Sequence, residues 1–452
     1  MNKTLKIRED STNYTCTVIK LPVKQNIPGL DNLVQVEIFG NNCLIGKNSS
    51  ADVLYLYFPA GCQISHEFLS ANRLYRDVAL NNPTNEETKG FFEPNGRVRG
   101  IKLKGIISTG FIIPITSLEV MLPYSEGGDI SDLELNDEFN EWCGIEVCRK
   151  YIPKGTSVLS VKGDKQTRIN NKLAHLLIPT QFRFHNETTH LSKNLHNINP
   201  DDVIVITDKW HGSSCILSRV DVNRRLNWAQ KLWNKVTWLP KFSSRKQSYI
   251  TSSAKPKSNL PKFIEGVWEN NGPDFYSSNI WKDALQKHKH CLEEGISLYG
   301  ELVGFEASGG YIQKGYDYKC AFATNQFVIY KITYTKPNGE FIVFSWQQLK
   351  DYCNKYDLIY VKEFYHGKAG SINIESGYLG GDDEDVWRNR LFTCLQTMFN
   401  LEQMCKHNNN KVPAEGIVIW KDGALNKYEV YKLKSKLFTL KESNEEQSLI
   451  EQ

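Results

Sequence analysis

Lys209 closes an apolar run, Ile204-Val205-Ile206-Thr207-Asp208-Lys209, and is followed at once by Trp210-His211-Gly212. An amine at the end of a buried strand is a candidate nucleophile, because burial and neighbouring cations favour loss of its proton. Two later elements carry groups that such an amine would need. Glu415 heads a second apolar run, Gly416-Ile417-Val418-Ile419. Lys432 and Lys434 alternate in Tyr431-Lys432-Leu433-Lys434-Ser435, so both point to one face of a strand. Paired cations there would neutralise phosphates. A lysine, an acid and a paired-lysine strand, in that order, are the parts of a site that takes AMP from ATP and carries it on the lysine. Alone, Lys209 reads as a surface residue at a strand end; the set carries the chemistry.

Further candidates lie between these elements. Glu301 sits in Ser297-Leu298-Tyr299-Gly300-Glu301-Leu302-Val303-Gly304, where an acid inside an apolar strand needs a partner. A ribose hydroxyl, a cationic side chain or a hydrated metal would each serve, and so would solvent at a sheet edge. The same options hold for Glu415. His211 is placed to orient a ribose hydroxyl or to hydrogen-bond its own turn, and Gly212 allows close backbone approach. Phe327, in Asn325-Gln326-Phe327-Val328-Ile329-Tyr330, offers a ring for stacking on a purine or for the core. Residues 219–262 hold eleven Lys/Arg and one acid, Asp221, a local charge of +10 against +4 for the chain. Trp228, Trp233, Trp238 and Phe242 are interleaved with these cations. The stretch reads as a track for a phosphate backbone next to the nucleophile, or as a solvated helix face with core tryptophans. Within it, Ser243-Ser244-Arg245 is placed to bring Arg245 to a nucleotide phosphate.

The chain of 452 residues, 40% apolar and 12% aromatic, suits two or three domains with cores of their own and excludes a compositionally disordered protein. Its 11 cysteines are scattered, with no close CxxC pair, as in a reduced intracellular protein without a patterned zinc site. No stretch approaches the roughly 20 apolar residues that span a bilayer. A cytoplasmic rather than nuclear or organellar location and no membrane partner are expected.

The elements that must position these groups fall into two kinds, giving an α+β chain. Residues 10–122 read as short strands punctuated by Gly and Asn, most simply a small β-barrel. Residues 126–146 are acidic, with Asp129, Asp132, Glu134, Asp137, Glu138 and Glu141, and read as a solvated surface between domains. The expected divisions are 1–125, 126–165 and 166–452. Beyond residue 190 strands and helices alternate. Val222 to Val236 suits an amphipathic helix with Trp228, Leu232 and Val236 on one face. Asp382 to Asp385 precede a helical apolar pattern from Val386 to Phe399 and suit its N-terminal cap. The polar tail from Glu442 to Gln452 is expected to fray.

Taken together, these motifs resemble the covalent nucleotidyltransferase superfamily of polynucleotide ligases and capping enzymes. Lys209-Trp210-His211-Gly212 stands where most of that superfamily has KxDG. Its histidine is similar to the KxHG of RNA ligases of the Deinococcus and Naegleria type. Ser244-Arg245, Tyr299-Gly300-Glu301, Phe327-Val328-Ile329-Tyr330, Glu415-Gly416-Ile417-Val418-Ile419 and Lys432 with Lys434 follow the remaining motifs in order. Phe58-Pro59-Ala60-Gly61, Asn72-Arg73-Leu74-Tyr75 and Gly96-Arg97-Val98-Arg99 resemble the OB-type domain that precedes the catalytic module in that type. Only 18 residues follow Lys434, too few for the C-terminal OB domain of DNA ligases and capping enzymes.

The resemblance implies an OB-type β-barrel, then an adenylyltransferase domain of antiparallel sheets and helices (the ATP-grasp-like module of DNA and RNA ligases). It implies an ATP-dependent RNA ligase that joins 3′-hydroxyl and 5′-phosphate ends, at nicks with an RNA 3′-hydroxyl strand, through lysyl-AMP and a 5′-adenylated strand. The implied catalytic residues are Lys209, Glu301, Glu415, Lys432 and Lys434. Implied nucleotide contacts are Thr207, His211, Gly212, Arg245, Glu301, Phe327, Glu415, Lys432 and Lys434. Glu301 and Glu415 would hold Mg2+ or Mn2+ largely through water. The implied partner is RNA or an RNA-containing nicked duplex, the expected state is a monomer, and no protein partner is indicated. An ATP-dependent DNA ligase and a non-catalytic nucleic-acid-binding protein are the alternatives.

Overall fold

The computed structural model describes residues 5–83, 90–152, 175–185, 188–224, 226–236, 243–253, 261–269, 276–372, 383–398, 403–423 and 429–450, the last six without side chains. The architecture is mixed α+β, with several separate, mainly antiparallel sheets. The apolar run before Lys209 forms the strand Val203–Lys209, at the heart of a five-stranded sheet. Across that sheet the order is Thr189–His190, Val430–Lys434, Gly416–Lys421, Val203–Lys209 and Glu363–Lys368. After Trp210-His211-Gly212 the chain enters a second, seven-stranded sheet as Ser213–Asn223. The turn after Lys209 is therefore the step from one sheet to the other.

Strand alternation divides the five-stranded sheet cleanly. Ile204, Ile206, Ile417, Ile419, Tyr431 and Leu433 point to one side and pack with Trp387, Leu391 and Leu395 of the helix Glu384–Met398. Each such side chain, fully buried, contributes about 1.5–3 kcal/mol. Thr207, Lys209, Lys432 and Lys434 lie by register on the opposite face. The Asp383 carboxylate accepts the Asp385 and Val386 amides, so it caps that helix as the sequence predicted. In the seven-stranded sheet, Cys215, Leu217, Leu298, Leu302 and Phe327 pack against Trp281, Leu285, Trp346 and Leu349. These last four come from the helices Ile280–His288 and Trp346–Lys355.

The N-terminal strands form separate ladders. A four-stranded sheet runs Gly110–Pro114, Leu54–Pro59, Cys16–Lys20, Glu138–Phe139, and a three-stranded one runs Gln25–Asn26, Leu33–Ile38, Asn41–Gly46. Thr109 stitches them, its hydroxyl 3.0 Å from Asn41 Oδ1 and its amide 2.9 Å from the Asn42 carbonyl. Among the described residues no closed barrel is formed.

The acidic stretch is not a solvated linker. Glu138–Phe139 pairs with Cys16–Lys20, Glu141–Trp142 with Leu5–Lys6, and Cys148–Lys150 with Cys62–Ile64. Phe139, Trp142 and Val147 are buried in the N-terminal core. Three of its acids are answered by cations: Glu141 by Lys6, Glu146 by Arg8, and Glu138 by Lys193. The expected boundary at 165 lies outside the described residues. The polar tail also differs from expectation, because Lys436–Ile450 is a helix in which Glu442 pairs with Lys434.

The two halves meet along a polar seam. The Lys193 ammonium donates to the Thr15 and Thr17 hydroxyls at 2.7 and 2.9 Å. Asn13 bridges the Thr188 carbonyl and the His190 amide. The eleven cysteines form no disulfide, and ten are buried. No described helix is long and apolar enough to cross a membrane.

Gly40 sets the closeness of this seam: its φ is +72°, and a Cβ there would lie 2.2 Å from the Phe392 ring. Gly40→Ala is expected to destabilise the protein by about 1–3 kcal/mol, read as a fall in Tm. An unchanged Tm would mean that the seam yields freely.

Candidate active site

The Lys209 ammonium lies 2.6 Å from Glu415 Oε1. Strand register explains how. Lys209 is opposite Gly416, and Gly416 is opposite Lys434, so these three form one row across the sheet. Thr207, Val418, Lys432 and His190 form the next row. Adjacent strands lie about 4.8 Å apart, which puts the Lys209 and Lys434 backbones roughly 10 Å from each other. Gly416, with φ +142°, must be glycine, because a Cβ would stand 2.1 Å from the Leu433 carbonyl oxygen. The bare centre of the row leaves space for the Glu415 carboxylate. Lys434 is fixed from behind by Glu442 at 3.1 Å, and Lys432 is buried.

The turn after Lys209 is clamped by residues far away in sequence. The Tyr318 hydroxyl accepts the His211 amide at 2.7 Å, and Gln313 Nε2 donates to the Gly212 carbonyl at 3.0 Å. Trp210 stacks on Tyr318 with ring centres 4.4 Å apart. His407 Nε2 is 3.1 Å from Asp208 Oδ2. The His211 ring lies edge-on between Tyr316 and Phe438 and approaches Glu415 at 3.8 Å. Burial lowers its pKa, opposed by Glu415, so the imidazole is neutral near pH 7. Gly212 is required by the sheet itself: a Cβ there would meet the Leu302 carbonyl at 2.5 Å.

Glu301 enters from the seven-stranded sheet, opposite Ser214 on one side and Val328 on the other. Burial pushes its carboxyl up to about 8; Lys209 opposes this and Glu415 adds to it. Glu415 moves the other way. Its burial alone would raise the pKa, but Lys209, His211 and Lys434 together hold it below the usual carboxylate value. One neutral and one ionised carboxyl thus stand beside the same amine, an arrangement suited to divided acid and anion roles.

Several polar atoms here are enclosed and lack hydrogen-bond partners among the described residues: Ser214 Oγ, Ser252 Oγ, His185 Nδ1 and Glu415 Oε2. Ser214, Ile216, Tyr299 and Glu301 share one face by register, and Ser252 lies opposite Ile216. His185 packs near Tyr299 and Tyr330. Lys331 lies over the Tyr299 ring at 4.4 Å, its pKa brought down to about 8 by burial and then by Arg183. Orphaned donors and acceptors on one wall are what a polar ligand would satisfy. Sequence reading missed Ser214, Ser252, His185 and Lys331. Only the pairing of Ser213–Asn223 with its neighbours puts Ser214 beside Glu301.

Two expected residues stand elsewhere. Phe327 is 3% exposed, opposite Leu302, and meets His288 edge-on at 5.5 Å within the core. It faces away from Glu301, so it is not a stacking platform in this arrangement. Arg245 pairs with Asn223 at the far end of Ser213–Asn223, roughly 30 Å from the Lys209 turn at about 3.3 Å per residue. It is exposed there, with Nη1 3.5 Å from the Pro337 carbonyl. The basic insert therefore does not bring Arg245 to Lys209; among its described residues it reaches the site wall through Ser252, at the other end of Arg245–Ser252. Its helix Trp228–Val236 buries none of its residues; Trp228 is 78% and Val236 71% exposed. Trp238, Phe242 and Lys255 lie outside the described residues.

Among the described residues no group of three or more His, Cys, Asp or Glu side chains could hold a metal ion by itself. Glu415, ionised and with one carboxylate oxygen left without a hydrogen-bond partner among the described residues, fits a hydrated Mg2+ or Mn2+; Glu301 would join it only on giving up its proton, which a bound dication favours. Such an ion takes one or two carboxylates and completes its shell with water and substrate phosphates.

A family model described as RNA ligase matches residues 202–434. No curated protein matches the chain. Solved structures do, among them several of the Naegleria gruberi RNA ligase. Its form with PPi has a TM-score of 0.52 at 13% identity, covering 97% of this chain and 100% of that one. A mutant with AMP and Mn has a TM-score of 0.54 at 14% identity, covering 96% and 99%. Another mutant, with ATP and Mn, has a TM-score of 0.52 at 13% identity, covering 98% and 99%. At such identities the likeness is one of fold.

The raised Glu301 carboxyl has a consequence for stability. Between about 4.5 and 8 the folded protein keeps a proton there that the unfolded chain releases, so stability falls as pH rises through that window. Glu301→Gln, which is neutral at every pH, is expected to flatten that fall. Thermal unfolding of both proteins at pH 5 and pH 8 measures it; parallel pH dependences would show that Glu301 is ionised throughout.

Proposed function

This chain belongs to the RNA ligase family, and from that membership we propose that it uses ATP to join RNA 3′-hydroxyl and 5′-phosphate ends. The observation that carries this reading is the row Lys209, Gly416, Lys434 with Glu415 at 2.6 Å from the lysine amine. It gathers a nucleophile, an anion and phosphate-binding cations within two strand spacings, about 10 Å, of each other. The solved Naegleria gruberi forms with ATP and Mn and with PPi support ATP and a divalent metal as its reactants.

In this proposal the freed Lys209 amine attacks the α-phosphorus of ATP. A nitrogen–phosphorus bond forms, the bond to pyrophosphate breaks, and the amine proton is lost. Lys432 and Lys434 present fixed positive charge to the phosphates, which costs no reorganisation at the moment of reaction. Glu301, protonated at neutral pH, donates to a ribose hydroxyl from the wall that also carries Ser214 and Ser252. A bound Mg2+ or Mn2+ would counter charge on the α-phosphate and on pyrophosphate. A 5′-phosphate then attacks the lysyl-AMP, releasing Lys209 and giving a 5′–5′ adenylated end. Finally a 3′-hydroxyl attacks that end and expels AMP. The two activated intermediates are needed because a bare phosphate monoester has no adequate leaving group.

We take the N-terminal unit to run to Tyr151 and assign it OB-type binding of the nucleic acid. The stitching of its ladders at Thr109 supports that form, and so does the inclusion of Cys148–Lys150 in it. The substrate in this reading is a nicked duplex with RNA on its 3′-hydroxyl strand. Such an end carries the 2′-hydroxyl by which a protein tells RNA from DNA.

With α-labelled ATP and a divalent metal, the wild-type protein is expected to become covalently labelled, and Lys209→Ala is expected to abolish this. Labelling by GTP alone would point instead to capping chemistry, and labelling of Lys209→Ala would remove Lys209 as the nucleophile. On a panel of nicks, RNA confined to the 3′-hydroxyl strand is expected to seal, and RNA confined to the 5′-phosphate strand to seal poorly. Equal sealing of an all-DNA nick would favour a DNA ligase.

A further inference from the structure

Three strand ends meet at one end of the five-stranded sheet. Val203–Lys209 finishes at Lys209, Gly416–Lys421 begins opposite it, and Glu363–Lys368 begins opposite Thr207. The Asp208 amide donates to the Lys362 carbonyl at 3.0 Å, so the backbones of Asp208 and Lys362 run one strand spacing, about 4.8 Å, apart. Beside these ends stands a cleft of about 320 Å³. Lys209 and Glu415 line it, and so do Lys362, Phe364, Met404 and Lys406.

Two properties of this lining point to one kind of ligand. The first is charge. The carboxylates of the cleft are already held: Glu415 by Lys209 at 2.6 Å, and Asp208 by His407, whose Nε2 is 3.1 Å from Oδ2. Lys362 and Lys406 are exposed, and neither forms an ion pair among the described residues. The Lys362 ammonium lies 5.5 Å over the Phe364 ring. Lys406 is carried by the short turn Lys406–Asn408, which His407 fastens to Asp208 and to the Trp210 ring, 4.7 Å away. Both cations are thus held beside Lys209 with nothing acidic to answer them. The second property is apolar exposure. Phe364 and Met404 stand exposed in the same cleft. Cations for a phosphate, with an aromatic ring and a thioether for a base, are the two halves of a nucleotide-binding surface. A polyphosphate alone would use the lysines and leave Phe364 and Met404 in water.

We propose that this cleft receives one unstacked nucleotide of the RNA being joined, its base against Phe364 and Met404 and its phosphate on Lys362 and Lys406. A nucleotide seated there lies beside Lys209, where an RNA end must come to exchange AMP. The proposal rests on the ligase reading for the role of that RNA as substrate, but not for the binding itself.

The test uses the full chain with Phe364→Ala and with Lys362→Gln and Lys406→Gln combined. The probe is a fluorescently labelled single-stranded RNA of mixed sequence, and its Kd is measured without ATP over a range of salt concentrations. Phe364→Ala is expected to raise that Kd about tenfold, the loss of one base contact. The double lysine variant is expected to weaken binding and to lower the slope of log Kd against log salt by roughly 0.7, one single-strand phosphate contact. Self-adenylation is measured on the same preparations, and the KM for ATP is expected to stay within about twofold of wild type. RNA binding and salt slope both unchanged in the variants would overturn the proposal, and so would a wild type that binds no RNA. A KM for ATP raised about tenfold with RNA binding kept would place the polyphosphate of ATP in the cleft and overturn the RNA assignment. If Phe364→Ala fails to fold, the lysine variant applies the salt-slope criterion alone, since both lysines are exposed. A wild type that ATP does not label would remove the ligase reading, and the RNA titrations would still decide for or against the cleft.

Discussion

The Lys209–Glu415 ion pair is the interaction around which the rest of this structure is arranged. A carboxylate as buried as Glu415 carries a desolvation penalty of several kcal/mol unless a cation meets it at close range. Lys209 meets it at 2.6 Å, and His211 stands at 3.8 Å on the other oxygen. The proposed nucleophile is therefore also the counter-ion of the acid beside it. Removing either partner leaves the other stranded, so stability and chemistry at this point are not separable. The pair exists because three strands from distant parts of the chain hold register to the residue. A slip by one at Gly416–Lys421 would turn Gly416 away from the row and put a side chain where the carboxylate sits.

That register is protected from both sides. On one face, the isoleucines of Val203–Lys209 and Gly416–Lys421 are locked by Trp387 and its neighbours. On the other, the turn leaving Lys209 is gripped by Tyr318, Gln313 and His407. Because the turn is also the step between two sheets, it cannot shift without moving Ser213–Asn223 and so the whole wall bearing Ser214 and Glu301. A site made where two sheets exchange a strand can bring groups of opposite ionisation to one amine. Glu301 and Glu415 approach Lys209 from different sheets, and their pKa values are driven in opposite directions by different surroundings.

The N-terminal unit enters this arrangement through Lys434. Glu442 anchors that lysine, and the helix bearing Glu442 is tied to Gly100 of the N-terminal unit. One ion pair and one hydrogen bond thus link the way the two units meet to the Lys434 end of the row that begins at Lys209. The acidic stretch that looked like a tether is part of the same connection, since Glu138 pairs with Lys193 at the seam while Phe139 lies in the core.

The sequence by itself singled out the residues on which the proposed chemistry rests. Lys209 at a strand end, Glu415 heading an apolar run, and Lys432 alternating with Lys434 are local patterns, because strand periodicity alone fixes which side chains share a face. The mixed α+β character and the capping acid Asp383 were legible for the same reason. What depended on long-range pairing was not. Phe327 has the same alternating pattern whether it faces a ligand or the core, and only its pairing with Leu302 turns it inward. Arg245 is near Lys209 in sequence, yet the 11-residue strand between them carries it to the other end of the sheet. The acids of residues 126–146 read as solvated because their partners, Lys6, Arg8 and Lys193, lie more than a hundred residues earlier or dozens later. Ser214, Ser252 and His185 carried no local signal, since a lone serine or histidine becomes a ligand contact only when tertiary structure encloses it without a partner. Residue types set what reaction the chain can perform; register and packing decided which of those residues face one another.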